Sequence, residues 1–397
     1  MRVSYFYQSF YQRADALTYS MKSILFLTVS LLVLFAAATA SFAQSTALRE
    51  APLRLGVVGL VHGHVMGMQE GLPGSLARDD IAVVGIVEPD TALARQYAER
   101  YNIDPALFYT DLDVMLDAAN PEAVTTFTST FDHLRVVEAA ARRGVHVMVE
   151  KPLAVNLEHA RRMQQRAEEG GIHVLTNFVT TWYSSNHYVY KLAQEDSMLG
   201  PVRKVVVRDG HPGPKEIGVP PEFLEWLLDP VLNGGGALTD FGCYGANLMT
   251  WLMQGQRPVS VRALTQQLKT DEDYARVDDE ATIVLEYPTA QAIIQASWNW
   301  PINRKDMDVY GEMGYAFALN PTDVRTRPHE TAPEETIITN PLPAPFDNPL
   351  SYLKAVVRGA IQPAGMSSLD YNVIVTEILD AARRSAVTGR AVVLKND

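Results

Sequence analysis

The 397-residue chain has little cysteine. Cys243 stands alone, so no intramolecular disulfide and no cysteine-based zinc site can form. A basic excess is missing as well: 34 Lys and Arg face 46 Asp and Glu, for a formal net charge of −12. Nucleic-acid binders present a basic field to phosphates, so no nucleic-acid partner is expected. Long apolar runs are scarce. One occurs, Ile24–Ala40, which rules out a multi-span membrane protein. What is present is 47% hydrophobic and 20% charged residues, an ordinary globular balance, at a length that suits two domains.

The one apolar run follows Lys22 and precedes Ser41-Phe42-Ala43. A positive residue, an uncharged apolar stretch and a small-x-small site form the pattern of a cleaved secretory signal. Residues 1–43 are read as that signal, starting at Met21, because Met1–Ser20 is rich in aromatics and resembles no signal start. No arginine pair precedes the run and no cysteine follows it, so twin-arginine export and a lipoprotein anchor lack support. The expected location is periplasmic or secreted, with no stable membrane span after cleavage; an uncleaved run would be an anchor.

From residue 51 to 175 strand-like and helix-like runs alternate. Leu53–Val58, Ile81–Val87, Ala123–Thr128, His146–Val149 and His173–Asn177 read as buried strands. Thr91–Tyr101 (capped by Asp90), Asp111–Ala119, Asp132–Arg143 and Leu157–Glu169 read as helices. Such alternation predicts a doubly wound parallel sheet. In that architecture the first strand-to-helix turn takes a dinucleotide. Here it reads Gly59-Leu60-Val61-His62-Gly63-His64: the first glycine is present, while Val61 and His64 stand at the second and third glycine positions. Glu88, closing the second strand, suits the ribose hydroxyls of NAD, and no arginine follows to favour NADP. His62 and His64 also raise a metal reading. No accompanying carboxylates are evident, so no metal is assigned, and one histidine is expected to face the cofactor phosphates while the other packs.

Further along come Thr128-Ser129-Thr130-Phe131-Asp132-His133, then Glu150-Lys151-Pro152, then Gly234-Gly235-Gly236 leading to Asp240-Phe241-Gly242-Cys243-Tyr244-Gly245-Ala246-Asn247. In this order the motifs resemble the Gfo/Idh/MocA family, named in part for glucose–fructose oxidoreductase and inositol dehydrogenase, over nearly the whole chain from Leu53. The resemblance implies an α/β Rossmann N-terminal domain, 51–175, and an α+β substrate and oligomerisation domain, 176–397. The second domain would carry an open, mostly antiparallel sheet, its last helix packing back toward the first. It implies a homo-oligomer, dimer or tetramer. It also implies Lys151 as a catalytic lysine, Glu150 orienting it and the nicotinamide amide, and a candidate cis bond between Lys151 and Pro152. Thr128 and His133 would support the cofactor.

Tyr244 stands where the family usually has histidine, and a nearby Lys151 ammonium is expected to lower its pKa for acid catalysis. Asp240 would orient that pair or contact substrate hydroxyls. Asn247 replaces a usual aspartate. Gly234–Gly236 reads as a flexible approach loop. Trp182, Tyr183, His187, His211, Trp226, Asp229 and Asn247 are candidates for the substrate wall, an aromatic and acidic mixture that suits sugar rings.

Three functions stay open. The first is an NAD-dependent oxidoreductase moving hydride to or from a sugar, polyol or related hydroxy compound, with tightly held cofactor. The second is a glycoside hydrolase working by transient oxidation and elimination. The third is a cofactor-free carbohydrate-binding protein of the same fold.

Overall fold

A computed structural model describes residues 51–67 and 69–394; the expected signal peptide lies outside them. Six strands build the first sheet: β1 (Leu53–Val58), β2 (Ile81–Val87), β3 (Phe108–Tyr109), β4 (Ala123–Thr126), β5 (His146–Glu150) and β6 (Val174–Asn177). They lie in the order β3-β2-β1-β4-β5-β6, all parallel, the order of a dinucleotide-binding doubly wound sheet. Strands buried on both faces explain the unbroken Val and Ile runs. On one face Val58, Val124, Val147 and Val149 pack against the helices Leu112–Ala119, His133–Ala141 and Leu157–Gly170. Asp90, Asp111 and Asn156 cap the helices that follow them by accepting first-turn amides.

Nine strands build the second sheet: β7 (Val202–Gly210), β8 (Ser260–Gln266), β9 (Glu280–Glu286), β10 (Gln291–Ser297), β11 (Arg304–Gly311), β12 (Tyr315–Ala318), β13 (Asp323–Arg327), β14 (Glu335–Ile338) and β15 (Val392–Val393). The order is β14-β13-β12-β11-β7-β10-β9-β8-β15, antiparallel except between β7 and β10. Helices Gly242–Leu252 and Leu369–Thr388 cover its inner face, where Val205, Val207, Ile283, Ile294, Met307 and Val309 are buried.

The glycines of the second motif have a packing cause. A Cβ on Gly245 would lie 2.4 Å from Ile294, so only glycine lets this helix rest on β10. The helix starts at Gly242, which places Tyr244 on it. The Gly234–Gly236 loop, expected to flex, is pinned: Asp278 accepts the amides of Gly236 (3.1 Å), Ala237 (2.8 Å) and Leu238 (2.7 Å).

Residues from Leu53 onward form one compact unit. Two late helices reach the first sheet. Leu369–Thr388 meets helix Leu157–Gly170, where the Leu157 amide donates to Asp380 at 2.8 Å. Pro349–Val357 covers the other sheet face, burying Leu350, Leu353 and Val356 against Leu53, Leu55, Met148 and Leu175. Among the described residues no helix is long and apolar enough to cross a membrane.

Candidate active site

The dinucleotide turn begins where β1 stops. Gly59 adopts φ +82°, and a Cβ there would meet Thr128 at 2.7 Å and the Phe127 carbonyl oxygen at 2.9 Å, so the position demands glycine. Gly63 is also crowded, since a Cβ would lie 2.8 Å from Phe223. No long helix follows; a single 3-10 turn, Gly63–Met66, precedes the short helix Leu72–Leu76. Among the described residues the Val61 and Gly63 amides meet no acceptor, leaving donors for an anion. Glu88 is buried at the end of β2 and accepts the Leu60 and Asp90 amides, each at 2.9 Å. Burial pushes its carboxyl above the ordinary value.

Gly59, Val61, Glu88 and Thr128 line a cavity of about 340 Å3. Crowded glycine, open amides and a strand-end acid fit a dinucleotide. Trp226, expected at the substrate wall, is found here instead: helix Pro221–Leu227 lies on the turn, with the Trp226 indole donating to the Val61 carbonyl at 3.2 Å.

His62 is the packing histidine. It is buried against Phe223 and Trp226, with ring centroids 4.5 and 5.4 Å away, and burial holds its pKa well below the ordinary value. Its Nδ1 accepts the His64 amide at 3.0 Å. His64 faces a second cavity, and its Nδ1 lies 2.8 Å from Glu150. The structure thus adds a carboxylate that the sequence did not place near this pair: ligand atoms of His62, His64 and Glu150 fall within 4.8 Å of one another. Glu150 does not hold Lys151 directly; its other oxygen accepts from Asn177, its register neighbour on β6, at 2.7 Å.

Lys151 follows β5, and the Lys151-Pro152 bond is cis. It sits at the carboxyl edge of the parallel sheet, where ligands bind in such folds. Its Nζ donates to the Asp240 carbonyl at 3.3 Å and to the Asp240 carboxylate. The Trp298 indole donates to the other carboxylate oxygen at 3.0 Å. Burial opposes both charges, yet each partner outweighs it: the Asp240 carboxyl is held below its ordinary value and the Lys151 ammonium above its own. A hydrogen-bonded buried ion pair therefore forms one end of the second cavity, about 990 Å3, which is also lined by His64, Tyr183, His211, Phe241, Tyr244 and Lys305.

Tyr244 corrects one expectation. Among the described residues no hydrogen bond joins Lys151 to the hydroxyl; its ammonium lies over the ring, 5.4 Å from the centroid. Burial pushes the phenol pKa well above its ordinary value. His211 does line the cavity, T-shaped on Phe241 at 4.9 Å, and burial pushes it down to about 4, so it is neutral.

Other candidates lie elsewhere. His133 lines neither cavity; its Nδ1 is 3.2 Å from the Leu153 carbonyl, and burial pushes its pKa to about 4. Trp182 packs on Tyr352 and donates to Asn177 at 3.0 Å, two steps behind Glu150. His187 holds the Thr181 carbonyl at 2.8 Å and packs on Trp251. Asp229 caps a turn through the Val231 and Leu232 amides and pairs with Arg276. Asn247 is fully buried and ties the Met366 carbonyl (2.8 Å) and Asn372 (3.2 Å) between helices. Its short amide bridges backbone and side chain there, out of reach of a substrate.

Sequence reasoning missed Glu70, Asp209, Trp298 and Lys305. Glu70 lines the large cavity, and burial and then Glu150 push its carboxyl up. The signal for Lys305 was available: Lys305, Met307 and Val309 alternate onto one face of β11, so a lysine shares an apolar face. Asp209 does the same after Val205 and Val207 on β7.

Residues 53–178 match the family described as an oxidoreductase family with an NAD-binding Rossmann fold, and residues 190–317 match the GFO/IDH/MocA C-terminal domain. Among curated proteins, the trans-1,2-dihydrobenzene-1,2-diol dehydrogenase of Macaca fuscata fuscata is 24% identical over 346 residues, 84% of this chain and 96% of its own. Among solved structures, the aldose-aldose oxidoreductase from Caulobacter crescentus, complexed with glycerol, has a TM-score of 0.72 at 24% identity. It covers 86% of this chain and 100% of that one. An inositol dehydrogenase homolog from Azotobacter vinelandii, complexed with NAD+, has a TM-score of 0.73 at 19% identity, covering 87% and 98%. The matched segments span well over half of the sequence, and the chain belongs to the Gfo/Idh/MocA family of NAD-binding oxidoreductases.

Proposed function

We propose that the protein transfers hydride between NAD and a CH–OH group of a sugar, polyol or related diol. The observation that carries this reading is the buried Lys151–Asp240 pair facing a cavity of about 990 Å3 beside the dinucleotide turn. Gly59, Val61 and Gly63 would hold the pyrophosphate, Glu88 the ribose hydroxyls, and Thr128 the wall beside Gly59. Bound NAD supplies the hydride acceptor or donor. Lys151, kept charged by Asp240, holds and polarises the reacting oxygen. Glu150, fixed by Asn177 and His64, sets the edge of β5 from which Lys151 projects. The diol, aldose and inositol named for the relatives support a polyhydroxylated substrate.

An exported location, periplasmic or secreted, remains part of this proposal and rests on the Ile24–Ala40 run. So does retention of the cofactor, supported by helix Pro221–Leu227 resting on the turn. A homo-oligomer formed through the open face of the nine-stranded sheet completes it.

The test is to denature the purified protein and seek released NAD(H) by mass spectrometry, then to follow cofactor absorbance across a sugar and polyol panel. Net absorbance change supports a dehydrogenase. Product release without it supports paired oxidation and reduction or glycoside cleavage. Absence of cofactor, together with failure to bind added nucleotide, overturns the reading.

A further inference from the structure

The oxidoreductase reading places the reacting hydroxyl at Lys151, and the same cavity holds a charge that this chemistry leaves unused. Among the described residues three acids line it: Glu70, Asp240 and Asp306. Asp240 is taken by Lys151 and Trp298. Asp306 accepts from Arg208 at 2.8 Å and from Arg304 at 2.5 Å. Glu70 stands near Glu150 and His64, and burial and then Glu150 push its carboxyl up, toward the neutral form.

Lys305 is the cation left over. It lines the cavity, half-buried, and among the described residues no hydrogen bond or ion pair reaches its amine. Alternation along β11 puts it on the face of Met307 and Val309. Its Nζ stands 4.0 Å from the Tyr244 ring centroid and 4.4 Å from that of Phe241. Lys151 overlies the same two rings, at 5.4 and 5.7 Å. Asp209, opposite Lys305 in the register, lines neither cavity and makes no bond to it.

An amine so placed calls for an anion. Burial pushes the Lys305 pKa below the ordinary lysine value and Lys151 adds to this, against the pull of Asp209, Asp240 and Cys243. A negative group at Nζ would offset both costs. One free amine matches the single charge of a carboxylate, whereas a phosphate dianion asks for more donors.

We propose that the substrate is a sugar acid, a uronate or an aldonate, whose carboxylate pairs with Lys305 while one of its CH–OH groups faces Lys151. This rests on the oxidoreductase reading and narrows its substrate class. Lys305 sets specificity and takes no part in proton or hydride transfer. Because both amines overlie the same rings, anchoring the carboxylate at one fixes which hydroxyl is presented to the other. A neutral aldose leaves Lys305 without a partner and binds more weakly.

The first test is calorimetry on the full chain as purified, with D-galacturonate, D-glucuronate and D-gluconate against D-galactose and D-glucose. At least one acid is expected to bind about tenfold or more tighter than its neutral parent. Lys305→Met is expected to remove that difference while leaving neutral-sugar affinity within about threefold of wild type, and Lys305→Arg to keep the preference. Equal affinity for acid and parent, no binding of any acid, or a preference that survives in Lys305→Met overturns the proposal. Tighter binding of D-galactose 6-phosphate than of D-galacturonate overturns the carboxylate assignment.

The second test needs no variant. Labelling of the wild-type chain with dinitrofluorobenzene is read by peptide mass spectrometry. The preferred acid is expected to slow modification of Lys305 but not of the exposed Lys204, and its neutral parent to slow it far less. Equal protection by the two overturns the proposal. The two readings fail separately. Hydride transfer confined to neutral sugars sinks the sugar-acid inference and leaves the oxidoreductase standing. Acid binding that depends on Lys305, in a protein without cofactor or hydride transfer, sinks the oxidoreductase reading and supports the Lys305 site.

Discussion

Trp298 donates its indole N–H to the Asp240 carboxylate oxygen that Lys151 leaves unused, at 3.0 Å. All three side chains are buried, so both charges are out of water and every hydrogen bond counts. Asp240→Asn strands the Lys151 ammonium and is expected to cost about 3–5 kcal/mol of folding stability. Trp298→Phe removes one donor and is expected to cost about 1–3 kcal/mol. The apolar double replacement Lys151→Met with Asp240→Leu is expected to fold more stably than Asp240→Asn, while losing activity. Urea midpoints of the three variants test the ordering.

The same pair sets a pH dependence. Asp240 lies below its ordinary carboxyl value. Its contribution is therefore complete above the unfolded carboxylate value, about 3.9, and is lost as pH falls through the folded one. Lys151 lies above its ordinary value. Its contribution is complete below about 10.4 and is lost as pH rises through the folded one. Wild-type stability is expected to lose this contribution at both pH extremes, and the Lys151→Met, Asp240→Leu protein to show flatter limbs in denaturation midpoint against pH.

Gly59 and Gly144 share positive φ, +82° and +68°, and differ in their surroundings. A Cβ at Gly59 meets Thr128 and Phe127 below 3.0 Å, whereas at Gly144 nothing among the described residues lies within 4 Å. Gly144→Ala is expected to cost only the left-handed strain, about 1–2 kcal/mol. Gly59→Ala adds a clash with the strand-end backbone of β4 and is expected to cost more and to empty the dinucleotide site. Denaturation midpoints and cofactor content by mass spectrometry check both.

The first sheet was legible because buried parallel strands write themselves as unbroken Val and Ile runs: Leu53–Val58 and Ile81–Val87 end where the sequence pattern ends. The outer strands of the second sheet were not. β12 to β14 are four or five residues long, and β14 is mostly exposed, so no apolar pattern announces them. Nor does local pattern tell that Leu350, Leu353 and Val356 will close the first sheet from far beyond its last strand, which ends at Asn177. At the site, Lys151 and Asp240 were readable from their motifs. Trp226, Asp229 and Asn247 were misplaced because an aromatic or short polar side chain in a motif region serves packing and capping as readily as a ligand.

Tyr244 separates two chemistries. If the phenol were the general acid, Tyr244→Phe would lose about 100-fold or more in rate. The structure gives the ring another task, as the face over which Lys151 and Lys305 lie at 5.4 and 4.0 Å, and burial pushes the phenol pKa well up. Tyr244→Phe keeps that face and is expected to hold kcat within about tenfold of wild type. Tyr244→Leu removes the face and is expected to fall much further. Rates measured at saturating substrate make the comparison.

Asn247 gives the opposite expectation. Its amide nitrogen donates to the Met366 carbonyl, just before Leu369, and to Asn372 within helix Leu369–Thr388, joining helix Gly242–Leu252 to both. Asn372 also donates to the Met366 carbonyl, at 2.8 Å, so that oxygen keeps a partner when Asn247 is removed. What is lost is the Asn372 oxygen's donor and the volume of a fully buried side chain. Asn247→Ala is expected to lower stability by about 1–3 kcal/mol while leaving kcat/KM per folded molecule unchanged. A substrate contact at this position would instead raise KM without moving the denaturation midpoint, so measuring both on one preparation decides between a tie in the fold and a wall of the cavity.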